Sequence, residues 1–226
     1  MPQSSLSSRR QFVTLSIAAL GAAAVSPAAA ERAVATVVAK PRNGAPPTPS
    51  TSVAAASGAS AAIVAAAKAG LARRSGRIQH ADVVAVADFS QPSRAPRLHL
   101  VDIASGGIES LLVAHGRGSD PSHTGWLSRF SNAPNSEATS AGDFLTGDFY
   151  SGAHGRSMRL AGLDATNDNA EQRGIVVHSA WYVGPDIVKA NGRLGCSEGC
   201  FAVSAADLPR VLQRLGPGRL LVSTKL

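Results

Sequence analysis

From residue 81 onward the chain consists of short apolar runs cut by glycine, asparagine and proline, and that texture decides what it can become. Ala81-Asp82-Val83-Val84-Ala85-Val86-Ala87-Asp88-Phe89 is rich in valine and reads as a strand. Arg97-Leu98-His99-Leu100-Val101-Asp102-Ile103 alternates polar with apolar, which predicts a strand with one wet face. Gly106-Gly107 turns the chain, and residues 108–115 return as the hairpin partner. Further strands are expected over 143–150, 157–161, 174–178 and 220–224. Residues 204–215 read as a helix, with Ser204 as its N-cap. Between 116 and 142 Gly, Ser, Asn and Pro replace any periodicity, which predicts a long surface loop of the kind that often carries function. The expected fold class is mainly β with short helices, in one domain over residues 74–226.

The residues upstream read differently. Residues 58–73 are alanine-rich and free of proline, so a helix is expected, weakened near its end by Gly70. Residues 31–57 are rich in Pro, Ala, Ser and Thr and suit a tether. Residues 1–30 read as a signal peptide: Ser8-Arg9-Arg10-Gln11-Phe12-Val13 looks like a twin-arginine export motif, and Ala28-Ala29-Ala30 suits a signal peptidase. The apolar run between them is too short for a stable membrane span. An exported protein of the periplasm or cell envelope is therefore expected, with no stable span after cleavage. At 44% hydrophobic residues and only 16% charged, the chain is not an intrinsically disordered one. Two cysteines cannot staple a fold of 226 residues. The net charge of +7 favours an anionic partner such as the envelope. The export motif, with aromatic residues at only 4%, argues against nucleic acid.

Chemistry concentrates in residues 174–203. His178 ends the apolar run Ile175-Val176-Val177, which places an imidazole at a sheet rim. Gly195, Ser197 and Gly199 surround Cys196 and Cys200, and glycines let backbone N–H groups turn toward a substrate oxygen. A thiolate beside an imidazole is a nucleophile paired with its base, and the same imidazole can return the proton to a leaving amine. Two other readings stay open at this point. Cys196 and Cys200 could form a redox-sensitive disulfide if their backbones approach closely enough. His178, Cys196 and Cys200 are also zinc-ligand types, although Cys-x3-Cys is not the usual spacing.

The pattern resembles the murein L,D-transpeptidase catalytic domain family, of the YkuD-like superfamily. His178-Ser179-Ala180-Trp181-Tyr182-Val183 is similar to the family's His-Gly-Ala-x-Tyr-Val, and Gly192-Arg193-Leu194-Gly195-Cys196-Ser197-Glu198-Gly199-Cys200-Phe201-Ala202 to its Gly-Arg-Leu-Gly-Arg-Ser-x-Gly-Cys-Pro-Ala. Ala114-His115-Gly116-Arg117-Gly118-Ser119, Phe130-Ser131-Asn132, Thr146-Gly147, His154-Gly155 and Asn167-Asp168-Asn169-Ala170 follow in the family's order.

The resemblance implies a β-sandwich fold and thioester chemistry on peptidoglycan stem peptides, giving 3→3 cross-links with an amine acceptor or releasing D-Ala with water. It implies Cys200 as nucleophile and His178 as base, with the Gly199 and Cys200 amides supplying the oxyanion hole and Ser197 opening the same Ser-x-Gly-Cys motif. Arg193, Tyr182 and Ser179 would bind substrate. No metal or organic cofactor is implied. Four departures stand out: Cys196 replaces Arg, Phe201 replaces Pro, Ser179 replaces Gly, and Glu198 sits where an aromatic is usual. Glu198 adds negative charge beside the thiol and would raise its pKa. A non-catalytic peptidoglycan-binding module and a zinc or redox thiol protein are the alternative readings.

Overall fold

A computed structural model of the protein describes residues 58–226. The signal-peptide and tether expectations lie outside the described residues. The helix α1 spans Gly58–Arg73. Eight strands follow: β1 Val83–Asp88, β2 Leu98–Asp102, β3 Ile108–Leu111, β4 Gly142–Gly152, β5 Gly155–Gly162, β6 Val176–Ser179, β7 Phe201–Val203 and β8 Leu220–Thr224. Two short helices, α2 Pro185–Asn191 and α3 Leu208–Leu215, complete the set. This is a mainly β fold, as the residue pattern predicts. Residues 116–142 hold only a 3-10 turn at Arg117–Ser119 before β4 begins.

All eight strands join in one sheet, in the order β3-β2-β1-β8-β4-β5-β6-β7. The sheet rolls on itself. Residues beyond β3 reach the opposite edge, where Ala114 donates to Ala202 in β7 at 2.9 Å. The C-terminal strand β8 lies between β1, which it parallels, and β4, which it opposes.

β1 is buried along its whole length because both its faces are covered. Val83, Ala85 and Ala87 point into the main core with Phe89, Phe144, Phe201 and Leu215. Val84 and Val86 point the other way, into a second cluster with Ile63 and Ala67 of α1 and Leu220 and Val222 of β8. Period-two alternation in the strand thus serves two apolar layers instead of one wet face. Gly70 has a packing reason. A Cβ there would lie 2.8 Å from Leu220 and 2.9 Å from Val222, so the glycine lets α1 lie close against β8.

The expectation of a wet face on β2 is corrected. Arg97 and His99 are both buried. His99 Nδ1 lies 2.8 Å from Ser110 Oγ on β3, and Arg97 is enclosed by backbone carbonyls. Polar side chains can leave water when each finds a partner. Residues 204–215 also differ in detail: α3 begins at Leu208, and Ser204 Oγ instead accepts from the Asp207 amide at 3.0 Å in the turn before it. Among the described residues, no helix is long and apolar enough to cross a membrane.

An ionic clasp fixes α1 to the sheet. The Asp143 carboxylate, 1% exposed, accepts from Arg73 at 2.8 Å and from Arg74 at 2.8 Å. Arg74 also pairs with Asp164. Removing a shared buried carboxylate strands two guanidiniums, one of them largely buried. Asp143→Ala is therefore expected to cost about 2–3 kcal/mol, at the low end for a broken buried pair because Arg73 stays hydrated. Arg73→Ala should cost less than about 1 kcal/mol, as half-exposed pairs do. Urea unfolding of the two variants, with the slope unchanged, checks the ranking.

Candidate functional site

The site lies where β6 and β7 run parallel. Their register sets Val177 against Phe201 and His178 against Ala202. Val177 and Phe201 face the main core, so His178 turns to the other face. Cys200 sits at the mouth of β7, two residues before Ala202, one diagonal step from His178. Diagonal neighbours on a sheet lie roughly 7–8 Å apart at the backbone, within reach of an imidazole. The register sets the two residues named in the sequence analysis on one face, a diagonal step apart.

His178 is held on two sides. Its Nδ1 lies 2.8 Å from the Ser179 carbonyl oxygen, so Nδ1 carries the proton and Nε2 keeps its lone pair. His154, at the tip of the β4–β5 hairpin, stacks on the ring at 4.2 Å between centroids and 22° between planes. Burial pushes His178 below the ordinary imidazole value, the Ser179 bond opposes this, and the adjacent His154 adds to it. The imidazole is neutral at pH 7. Ser179, expected to bind substrate, meets His178 through its backbone oxygen, a role indifferent to the Gly-to-Ser departure.

Cys200 is buried, and its thiol faces the Gly174 carbonyl oxygen at 3.5 Å. Burial raises its pKa, and the Val176 amide lowers it. Glu198 raises it, while the Arg173 guanidinium and the Cys200 amide lower it. Arg173 is a residue that the sequence analysis missed. It donates to the Ser131 carbonyl oxygen at 2.9 Å, to Ser140 Oγ at 2.7 Å and to the Ala138 carbonyl oxygen. It thereby ties residues 131–140 beneath the thiol. Its signal was its place just before the apolar run that delivers His178.

The turn before Cys200 is braced by Ser197. Its Oγ donates to the Cys200 carbonyl oxygen at 2.7 Å and accepts from the Gly199 amide at 3.2 Å. Gly199 has φ +117°, and a Cβ there would lie 2.7 Å from Ile175 and 2.8 Å from the Ala138 oxygen. No other residue fits this position. Phe201 departs from the family's proline because it fills core space, edge-on to Phe144 at 5.4 Å.

A second buried assembly, also missed, supports this turn. Arg97, 0% exposed, donates to the Val113 oxygen at 3.1 Å, to the Gln91 oxygen at 2.9 Å and to His115 Nδ1 at 2.7 Å. His115 therefore carries its proton on Nε2, which points toward Asp120 at 3.6 Å. Burial pushes His115 down to about 4, helped by Arg97. The His115 backbone oxygen accepts from the Ser197 amide at 2.9 Å, and the Arg117 amide donates to the Ser197 oxygen at 2.8 Å. Loop 115–117 and turn 196–200 are thus one backbone ladder.

Cys196 and Cys200 are both free thiols with different neighbours. Cys196 lines an open cleft of about 650 Å³ with Arg117, Asp120, His123, Arg129 and Glu137. Neither Cys200 nor His178 lines that cleft. Burial pushes Cys196 up to about 11, and Asp120 adds to this against Arg97 and Arg193. Tyr182 lies beside both thiols. Its phenol is pushed up to about 12 by burial, then by Cys200, Cys196 and Glu198. Arg193 forms no ion pair among the described residues, and its buried Nε has no acceptor. Among the described residues, no three His, Cys, Asp or Glu side chains group as metal ligands.

The family profile described as the L,D-transpeptidase catalytic domain matches residues 55–223. No curated protein matches the chain. Among solved structures, it is similar to an L,D-transpeptidase from Mycobacterium smegmatis at 15% identity, with TM-score 0.39, covering 63% of this chain and 58% of that one. L,D-transpeptidase 3 from Mycobacterium tuberculosis, solved with a faropenem-derived adduct, gives 17% identity and TM-score 0.42, covering 64% and 60%. The helical cell shape determining protein of Campylobacter jejuni gives 11% identity and TM-score 0.42, covering 70% and 54%. The chain thus spans less than two thirds of the length of each.

The stack of His154 on His178 makes a direct prediction. NMR titration should place the His178 ring below the unperturbed value of about 6.5. In His154→Ala its pKa should rise, because the ring gains water and loses the electrostatic opposition of His154. An unchanged titration would show that the stack does not govern His178.

Proposed function

The chain belongs to the L,D-transpeptidase catalytic domain family, and from that premise we propose that it is a cysteine acyltransferase acting on peptidoglycan stem peptides. The observation that carries this reading is the Nδ1 bond from His178 to the Ser179 oxygen, which leaves Nε2 free as a base one diagonal step from Cys200. In the first half-reaction the Cys200 proton moves to His178 Nε2. The sulfur attacks the carbonyl carbon between the third stem residue and D-Ala. The tetrahedral oxyanion collapses, the C–N bond breaks, and D-Ala leaves with the proton from His178. The thioester is then resolved by a side-chain amine of a second stem, or by water, and Cys200 recovers its proton.

The oxyanion donor is the Cys200 amide. The Gly199 amide is already held by Ser197, so Gly199 acts through its backbone conformation. Arg193, free of ion pairs among the described residues, suits the substrate carboxylate, since its planar fork matches that group. Tyr182 lines the approach to Cys200. The reaction calls for no metal or cofactor, and the N-terminal sequence supports export to the envelope. A non-catalytic stem-binding module is the second reading. It is favoured by one observation, that burial and Glu198 both raise the Cys200 pKa and so blunt the nucleophile.

Intact mass after incubation with a carbapenem separates the two. A β-lactam adduct on the reduced protein that vanishes in Cys200→Ala supports the acyltransferase, and tetrapeptide turnover should then fall about a thousandfold or more in that variant. No adduct with both thiols free would support the binding module. The rate should climb with pH through the His178 pKa, with its rising limb below the unperturbed value of about 6.5, because the neutral imidazole is the active form. Glu198→Gln should speed acylation at neutral pH by removing a negative charge from beside the thiol. An equal or slower rate would exclude Glu198 as a brake.

A further inference from the structure

Both tryptophans of the chain are exposed, Trp181 at 85% and Trp126 at 46%, although buried Phe and Leu side chains fill the core. Neither is a loose side chain on a loose loop. Trp181 sits in the turn after β6, where the Ala180 amide donates to the Val203 oxygen at 2.9 Å and Val183 to Ala180 at 3.2 Å. Ala180 and Val183 on either side of it are buried with Leu194, so the turn is anchored and the indole is pushed outward. Trp126 lies between Gly125 and Leu127, both buried, and the Gly125 amide is fixed to Asp120 at 2.7 Å.

The two turns meet the same short segment. A Cβ on Gly125 would lie 3.1 Å from Arg193 Cβ, and the Ser93 amide donates to the Gly125 oxygen while Ser93 Oγ accepts from the Leu194 amide at 3.1 Å. At the other end the Gly195 amide donates to the Tyr182 oxygen at 3.0 Å, and Tyr182 stands edge-on to Trp181 at 5.8 Å. Arg193–Gly195 thus joins two anchored turns that each carry an exposed indole, with the aliphatic stem of Arg193 against the Gly125 turn. One residue further lies Cys196, and five further Cys200.

Exposed aromatic faces held rigid in a water-facing strip mark a recognition surface. We infer that Trp181 and Trp126 form a sugar-stacking strip that holds the N-acetylated amino-sugar strand from which the stem peptide hangs. The inference rests on the proposed function, which fixes the geometry. With the third stem residue at Cys200, the first sugar lies on the order of 10 Å upstream along an extended stem of three residues. Tyr182, beside both Cys200 and Trp181, bridges that interval. A flat pyranose ring presents C–H groups to an indole face and keeps its hydroxyls and acetamido group in water. A strip of exposed aromatics bordered by polar residues fits such a ligand.

The chain's two tryptophans make it its own reporter. In Trp126→Phe the indole emission comes from Trp181 alone. Titration with a soluble N-acetylglucosamine oligomer should shift that emission, and Trp181→Ala should weaken oligomer binding about tenfold, with Trp181→Phe retaining most of it. The second readout is the ratio of kcat/KM for a disaccharide-tetrapeptide to that for the free tetrapeptide. It should exceed one in the wild type and collapse toward one in Trp181→Ala. No emission change in folded protein, or a ratio that Trp181→Ala leaves unaltered, overturns the inference. A carbapenem adduct at Cys200 without oligomer binding removes the sugar strip alone. Oligomer binding without an adduct keeps the strip and removes the acyltransferase reading.

Discussion

The site depends on a few backbone hydrogen bonds that close the rolled sheet. Ala114 donates to Ala202, and on either side of it the chain from 115 to 117 exchanges hydrogen bonds with Ser197. These bonds carry the turn 196–200 onto the end of β7, beside β6. Without them β7 would be a three-residue edge strand with one parallel partner, too short to hold a thiol in register. The closure is backbone on backbone. A Cβ on Gly116 would meet the Glu137 oxygen at 2.2 Å and the Gly199 nitrogen at 2.6 Å. The buried Arg97–His115–Asp120 assembly stiffens the same loop from inside through the Arg97 bonds, with His115 Nε2 aimed at Asp120 from 3.6 Å.

The position of Cys200 sets a conflict between order and reactivity. A thiol buried deeply enough to be placed accurately loses the solvation its thiolate needs. Nearby donors offset only part of this: the Val176 amide, the Arg173 guanidinium and the Cys200 amide favour the charged sulfur, yet burial, with Glu198, keeps the thiol above its ordinary value. Arg173 is itself part-buried, and burial lowers its pKa, but a guanidinium keeps its charge at neutral pH. A fixed cation and fixed amides cost no reorganisation when the proton leaves, which is the physical content of a preorganised site.

The strands were legible because their signals are local, whereas the pairing of Cys200 with His178 came from the family resemblance. Val83–Ala87 is a run of aliphatic residues, and His178 closes another, so both could be read without knowing their partners. The partners were not legible. Nothing in Arg97-Leu98-His99 says that its polar residues will be covered, because their acceptors, Val113, Gln91 and Ser110, come from other segments and only the rolled sheet assembles them. Arg173 was missed for the same reason: its acceptors are backbone oxygens of a loop more than thirty residues away. Gly70 shows the converse error. Helix propensity explains it as a weak point, whereas close approach to Leu220 and Val222 explains it as a requirement.

The departures within the motif sort by which side of the backbone they face. Phe201 points into the core and exchanges one space-filling side chain for another. Ser179 contributes a carbonyl that glycine would also supply. These two leave the chemistry as it was. Cys196 and Glu198 point the other way, toward the cleft and toward Arg117. There, replacing Arg by a thiol and an aromatic by a carboxylate removes positive charge and apolar surface from one flank of Cys200. On the other flank Arg193 is unpaired among the described residues and the Trp181 face is open. On the proposed function, recognition is weighted to the 181–195 side of Cys200, and it is there that substrate contacts can differ without disturbing the ladder that holds the thiol.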